Sequence, residues 1–143
     1  MLKITRGGQG ITIETGAGIF TIDGACGGQV TSFFLKDELG QHQVAGRKAP
    51  LMDLRFTADG HNITLATTRA DLAVTVEAAD FARISASSSL LDGALKLTQD
   101  YEIHEEGALF CNLAVVTPAG KHLELSGCSL NASVQIAGTR MAR

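Results

Sequence analysis

The chain has 143 residues, 45% of them hydrophobic, which is enough for one domain with a buried core and too apolar for a disordered chain. A net charge of −3 with no concentration of Lys and Arg excludes a polyanion-binding surface, so no nucleic-acid partner is expected. No apolar run approaches a membrane span and no signal-peptide core follows Met1, so no membrane association is expected either.

Alternation of apolar and polar residues with period two runs through the chain and predicts strands. Ile11–Glu14, Ile19–Asp23 and Gln29–Lys36 are the first three. The glycine-rich stretch Gly24-Ala25-Cys26-Gly27-Gly28 between the last two reads as a turn, because no helix follows it and no lysine stands at Walker spacing. A long polar loop is expected between Phe34 and Leu51. Asp59-Gly60 is a two-residue hairpin signal that sets Phe56 opposite Ile63 and Leu54 opposite Leu65. The loop Thr68–Asp71 would then set Leu65 against Val74 and Ile63 against Val76.

The chain is expected to turn again near Ala79-Asp80 into a strand from Phe81 to Ser87. Asp92-Gly93 pairs Leu90 with Leu95 and Ile84 with Tyr101. The strand Leu95–His104 turns Leu95, Leu97, Tyr101 and Ile103 to one face and Lys96, Thr98, Asp100, Glu102 and His104 to the other. The loop Glu105-Glu106-Gly107 then places Ile103 opposite Leu109 and Tyr101 opposite Cys111. A second loop at Pro118-Ala119-Gly120 pairs Leu113 with Leu125. Apolar parity switches from odd (Leu123, Leu125) to even (Cys128, Leu130), which calls for a one-residue bulge near Ser126-Gly127 and puts Cys128 opposite Cys111.

Residues 88–92 and 45–49 are the only stretches compatible with a short turn of helix. The fold class that follows is all-β: an antiparallel β-sandwich built as a meander of long hairpins, with little or no helix, over a single domain spanning 1–143. Phe33-Phe34 and Ala114-Val115-Val116 put apolar groups on both faces of their strands. Strands of that kind are covered on both sides. Another copy of the chain or a missing covalent partner domain is therefore expected there.

Chemistry-bearing residues are sparse. No two of His42, His61, His104 and His122 stand at metal-ligand spacing, so neither a metal nor a cofactor is expected. The odd cysteine count gives no disulfide framework. Cys111 and Cys128 read first as buried thiols, then as a cross-strand disulfide, and last as a reactive site, since no basic residue flanks either. Two polar groups are candidate binding sites. Asp37, Glu38, His42 and Arg47, with Lys48, crowd the long loop, while Asp100, Glu102 and His104 share one face of the longest strand. His104 and His122 lie near hairpin ends and are expected to be solvated. Paired carboxylates such as Asp100 and Glu102 can act on a glycosidic bond, but on a strand face they are more often solubility groups.

Three stretches in the first third, Gly27–Phe33, Lys36-Asp37-Glu38-Leu39-Gly40 and Pro50–Leu54, resemble the opening of a galactose-mutarotase-like β-supersandwich. Tyr101–Leu109 resembles the long hairpin that recurs in that fold, and the likeness covers most of residues 10–135. Such domains occur in sugar mutarotases, polysaccharide lyases and glycoside hydrolases, where many sit beside a catalytic domain and shape its cleft. The chain would supply about half of a full supersandwich, and no position matches the mutarotase catalytic His or Glu.

The resemblance implies a carbohydrate-associated domain, accessory or cleft-forming and non-catalytic alone, with a poly- or oligosaccharide as partner. The alternative is an assembly module that forms a homo-oligomer through apolar sheet faces. A complete chain would be cytoplasmic; a fragment of a carbohydrate-active enzyme would be secreted or periplasmic.

Overall fold

A computed structural model describes residues 2–37, 39–45, 52–118 and 124–132. Its strands, in chain order, are β1 (Lys3–Gly7), β2 (Gly10–Glu14), β3 (Gly18–Asp23), β4 (Gln29–Asp37), β5 (Gly40–Ala45) and β6 (Met52–Ala58). They continue with β7 (His61–Thr64), β8 (Asp71–Glu77), β9 (Phe81–Leu90), β10 (Leu95–His104), β11 (Leu109–Val116) and β12 (Leu125–Ala132). The helical segments among the described residues are single 3-10 turns at Gly24–Cys26 and Leu65–Thr67. Residues 88–90, one of the two stretches compatible with a helical turn, are strand instead.

All pairing is antiparallel, in a five-stranded sheet β1-β2-β3-β4-β5, a four-stranded sheet β11-β10-β9-β8 and a three-stranded sheet β12-β6-β7. The first two face each other as a β-sandwich. Ile11, Ile13, Phe20, Ile22 and Val30 of one meet Ala82, Ile84, Ala86, Tyr101 and Ile103 of the other. The three-stranded sheet covers the far end of the β9–β10 hairpin, where Leu54, Phe56, Ala58, Ile63 and Leu65 pack on Leu95 and Leu97. One hairpin therefore serves two cores. Each fully buried Leu, Ile or Phe contributes about 1.5–3 kcal/mol by leaving water.

Between the cores the inward positions turn polar, at Ser88 on β9 and Gln99 on β10, both buried. The Gly24–Gly28 segment plugs this seam. Gln99 Nε2 donates to the Gly27 carbonyl at 2.7 Å, and the Tyr101 hydroxyl donates to the Gly28 carbonyl at 2.8 Å with Gln99 Oε1 at 3.0 Å. Gly27 sits at φ 70°, and a Cβ there would run into the Leu65 carbonyl oxygen. The glycines are thus demanded by packing, as the turn interpretation requires.

Several expected pairings hold. Phe56 faces Ile63 across a turn whose residues Asp59 and Gly60 both have positive φ (46° and 79°), the geometry that suits the twist of a hairpin. Leu90 faces Leu95, Ile84 faces Tyr101, Tyr101 faces Cys111 and Ile103 faces Leu109. The register also shifts between Ser126 and Ser129, where a bulge was called for.

Four expectations fail. Leu54 and Leu65 share a core but are not a ladder pair, because Leu65 opens the 3-10 turn that ends β7. That turn leads the chain out of the three-stranded sheet, where Ala70 N donates to the Gly24 carbonyl. Val74 consequently faces Ile84 and Val76 faces Arg83, not Leu65 and Ile63. The supposed loop between Phe34 and Leu51 contains β5, which pairs with β4. Finally, β12 lies against β6, so Leu125 faces Ala58 rather than Leu113, and Cys128 is not opposite Cys111. Period-two alternation fixes which face of a strand is buried but not which strand lies beside it.

Candidate functional site

The outward face of β10 carries the polar residues that alternation put there, and its neighbours complete a site. Across β9 and β11, Glu102 faces Arg83 and Phe110, Asp100 faces Ser85 and Asn112, and His104 faces Phe81. A groove of about 430 Å³ opens over this surface, lined by Thr75, Arg83, Asp100, Glu102, Phe110 and Asn112. Its floor is the β9–β10 ladder at Ile84 and Tyr101, whose side chains point into the core.

Glu102 is the hub. Arg83 Nε donates to its Oε2 at 3.0 Å, and His104 Nε2 lies 2.8 Å from its Oε1. The hydrogen bond from His104, then that from Arg83, holds the Glu102 carboxyl below the usual carboxylate range. An ionised carboxylate only accepts, so Nε2 of His104 carries the proton in this contact. The ring is fixed by aromatic neighbours. Phe81 stacks on it at 5.7 Å and 24°, and Phe110 meets it edge-on at 5.7 Å. His104 is therefore partly buried between two rings, not solvated as its place near a hairpin end suggested. The Arg83 guanidinium carbon lies 5.7 Å from the centre of the Phe81 ring, a cation–π arrangement.

Phe110 is 60% exposed and stands as an apolar wall beside these charges. Asp100 and Asn112 are exposed, and no hydrogen bond to a described residue occupies their side chains. The site thus offers a held anion, a guanidinium with one edge committed, an open carboxylate, an amide and an aromatic face. These are the groups that bind adjacent hydroxyls and the C–H face of a sugar ring. A pair of carboxylates acting on a glycosidic bond needs one carboxyl kept protonated; Glu102, doubly bonded and held low, is unsuited to that role.

The other proposed cluster is not brought here. Asp37 closes β4 in the five-stranded sheet, where its Oδ1 accepts from Leu39 N at 2.7 Å in the β4–β5 turn. The backbone of His42 lies in β5 opposite Leu35; its side chain, with Glu38, Arg47, Lys48 and His122, lies outside the described residues. Among the described residues no three His, Cys, Asp or Glu side chains gather as for a metal. Cys111 points inward against Tyr101, and burial pushes its thiol up to about 11. The Cys26 thiol donates to Asp23 Oδ2 at 3.8 Å.

A second hollow, also about 430 Å³, separates the β1–β2 turn from β8. Its lining includes Gly7, Gly8 and Gly10 with the charged Arg6, Arg69 and Asp71, and its Arg6 is paired to Glu77 at 3.4 Å. It lacks the aromatic side chain that Phe110 gives the groove over β10.

Sequence reasoning named Asp100, Glu102 and His104 but not Phe81, Arg83, Phe110 or Asn112, which the structure places beside them. The signal was present. Pairing Ile84 with Tyr101 and Tyr101 with Cys111 fixes the outward neighbours of Glu102 as Arg83 and Phe110, one step along each strand. No family model, curated protein or solved structure matches this chain.

Proposed function

We propose that the outer face of the four-stranded sheet binds carbohydrate, and that the chain is a carbohydrate-associated β-sandwich domain, accessory or cleft-forming beside the catalytic part of a glycoside hydrolase or polysaccharide lyase. The observation that carries this reading is the exposed Phe110 wall beside Arg83, Asp100, Glu102 and Asn112 in one groove. The resemblance of the first third and of Tyr101–Leu109 to a galactose-mutarotase-like β-supersandwich agrees with it. Glu102 serves as a fixed acceptor rather than a general acid, so the role is binding.

Titration calorimetry of the full chain against a panel of neutral, amino and acidic oligosaccharides tests the reading. Binding of at least one class, weakened about tenfold or more by Phe110→Ala, is the expected result, given the typical value of a stacked aromatic. Failure of every class to bind would end it.

A specific observation favours a second reading, assembly. Among the described residues, strand β11 is an edge of its sheet, carries no charged residue or proline, and exposes Phe110, Leu113, Val115 and Val116. Edge strands usually carry charge or proline against pairing with other chains. Light scattering at several concentrations tests this. A defined dimer abolished by Val115→Lys supports it, and a monomer at all concentrations refutes it.

A further inference from the structure

We infer that the glycan suited to this groove carries amino groups, an ammonium lying against Asp100; the inference rests on the carbohydrate reading of the same site. Three charged side chains line the groove: Arg83, Asp100 and Glu102. Arg83 and Glu102 neutralise each other at 3.0 Å. Asp100 is left as the excess charge. Its cross-strand neighbours are Ser85 on β9 and Asn112 on β11, both uncharged. The next outward positions on its own strand are Thr98 and Glu102, so no cation adjoins it along β10 either. On β8 the groove presents Thr75, also uncharged.

A carboxylate in this setting repels a uronate or a sulfate. It accepts hydrogen bonds from neutral hydroxyls and is best satisfied by a cationic donor, because a charge-assisted hydrogen bond is shorter and stronger than a neutral one. The rest of the outer face does not reverse this preference. Asp71 on β8 adds a second carboxylate, and Lys96 stands at the opposite end of β10 from His104. Arg83 is not available to receive an acidic sugar with its full charge, since its Nε edge already holds Glu102. Phe110 meanwhile offers its ring to the C–H face of a pyranose.

The test uses three oligosaccharides of equal length with the full chain: glucosamine oligomer, N-acetylglucosamine oligomer and oligogalacturonate. Binding is measured by calorimetry at about pH 5.5, where carboxylates are ionised and glucosamine amines are protonated. The glucosamine oligomer is expected to bind about 2- to 5-fold more tightly than its acetylated counterpart, the range of one solvent-exposed charge pair, and oligogalacturonate most weakly. Asp100→Asn should remove that preference, the amino oligomer losing more affinity than the acetylated one, and added salt should erode it in the native chain. The salt series needs no variant, so it decides the matter even where Asp100→Asn folds poorly. Equal affinity for the amino and acetylated oligomers, or a preference that survives both salt and Asp100→Asn, overturns the inference and leaves carbohydrate binding standing. Binding of none of the three classes overturns both.

Discussion

The two faces of β10 do opposite work. Inward, Leu95, Leu97, Gln99, Tyr101 and Ile103 are all buried. Outward, Lys96, Thr98, Asp100, Glu102 and His104 stay partly or fully accessible. Every inward group is committed to packing or to a hydrogen bond across the sandwich, such as Tyr101 to Gly28. Outward, the bonds among His104, Glu102 and Arg83 stay within their own sheet. Perturbations of the inner face should therefore appear as lost stability, and those of the outer face as lost binding.

Tyr101→Ala should have the largest effect. Truncating a ring that is 1% exposed costs about 3–5 kcal/mol, read as a large fall in the urea midpoint. A cost under about 1 kcal/mol would show that the seam is not packed as described. Tyr101→Phe comes next. It keeps the ring but strips the Gly28 carbonyl of its donor in a buried place, which costs about 1–3 kcal/mol.

Cys111 sharpens the comparison through pH. A thiol ionising near 11 rather than the ordinary 9.0 is about 100-fold less thiolate at pH 8, so alkylation in the native protein should be slower by about that factor than in the unfolded chain. The unfolded thiol ionises first, so the native state's proton contributes stability that is complete below about pH 9 and is lost as pH rises through about 11. Burial also holds the Tyr101 phenol above its ordinary range, with the same sign. Cys111→Ala should flatten this alkaline loss in part; an unchanged profile would remove Cys111 as a source.

The outer face should give the smallest stability effects. Phe110→Ala, at a mostly exposed site, should shift stability by no more than about 0.5 kcal/mol while weakening binding. Glu102→Gln should cost still less in a melting experiment at neutral pH. Glu102 is held below its ordinary value, so whatever it contributes is present above the unfolded carboxylate's range and lost as pH falls through the lower folded value. A large neutral-pH destabilisation by either variant would blur the division between the faces.

Much of this arrangement was legible in the sequence, for reasons that also explain the gaps. Strands buried on one face, such as β9 and β10, alternate cleanly, and their tight turns fix the register. The edge strands β1 and β5 escaped notice because they have little apolar content to alternate. Lys3-Ile4-Thr5-Arg6-Gly7 and Gly40-Gln41-His42-Gln43-Val44-Ala45 are polar edges of the kind that resist outside pairing. Partners joined by long connections, β12 with β6 above all, cannot be read from local pattern. The carboxylates and His104 could be found because one strand carries them. Arg83 and Phe110 arrive from two other strands and needed the register first.

The chain holds one tyrosine and no tryptophan, and that tyrosine sits in the seam between the two cores. Ultraviolet emission and near-ultraviolet dichroism of this protein therefore carry a strong local signature of one place, the junction where the shared hairpin meets the glycine plug. Followed beside backbone dichroism during denaturation, this built-in reporter distinguishes a molecule that melts as one unit from one whose three-stranded sheet peels away first. In the first case the two signals coincide; in the second the backbone signal begins to fall while the tyrosine stays in its native environment.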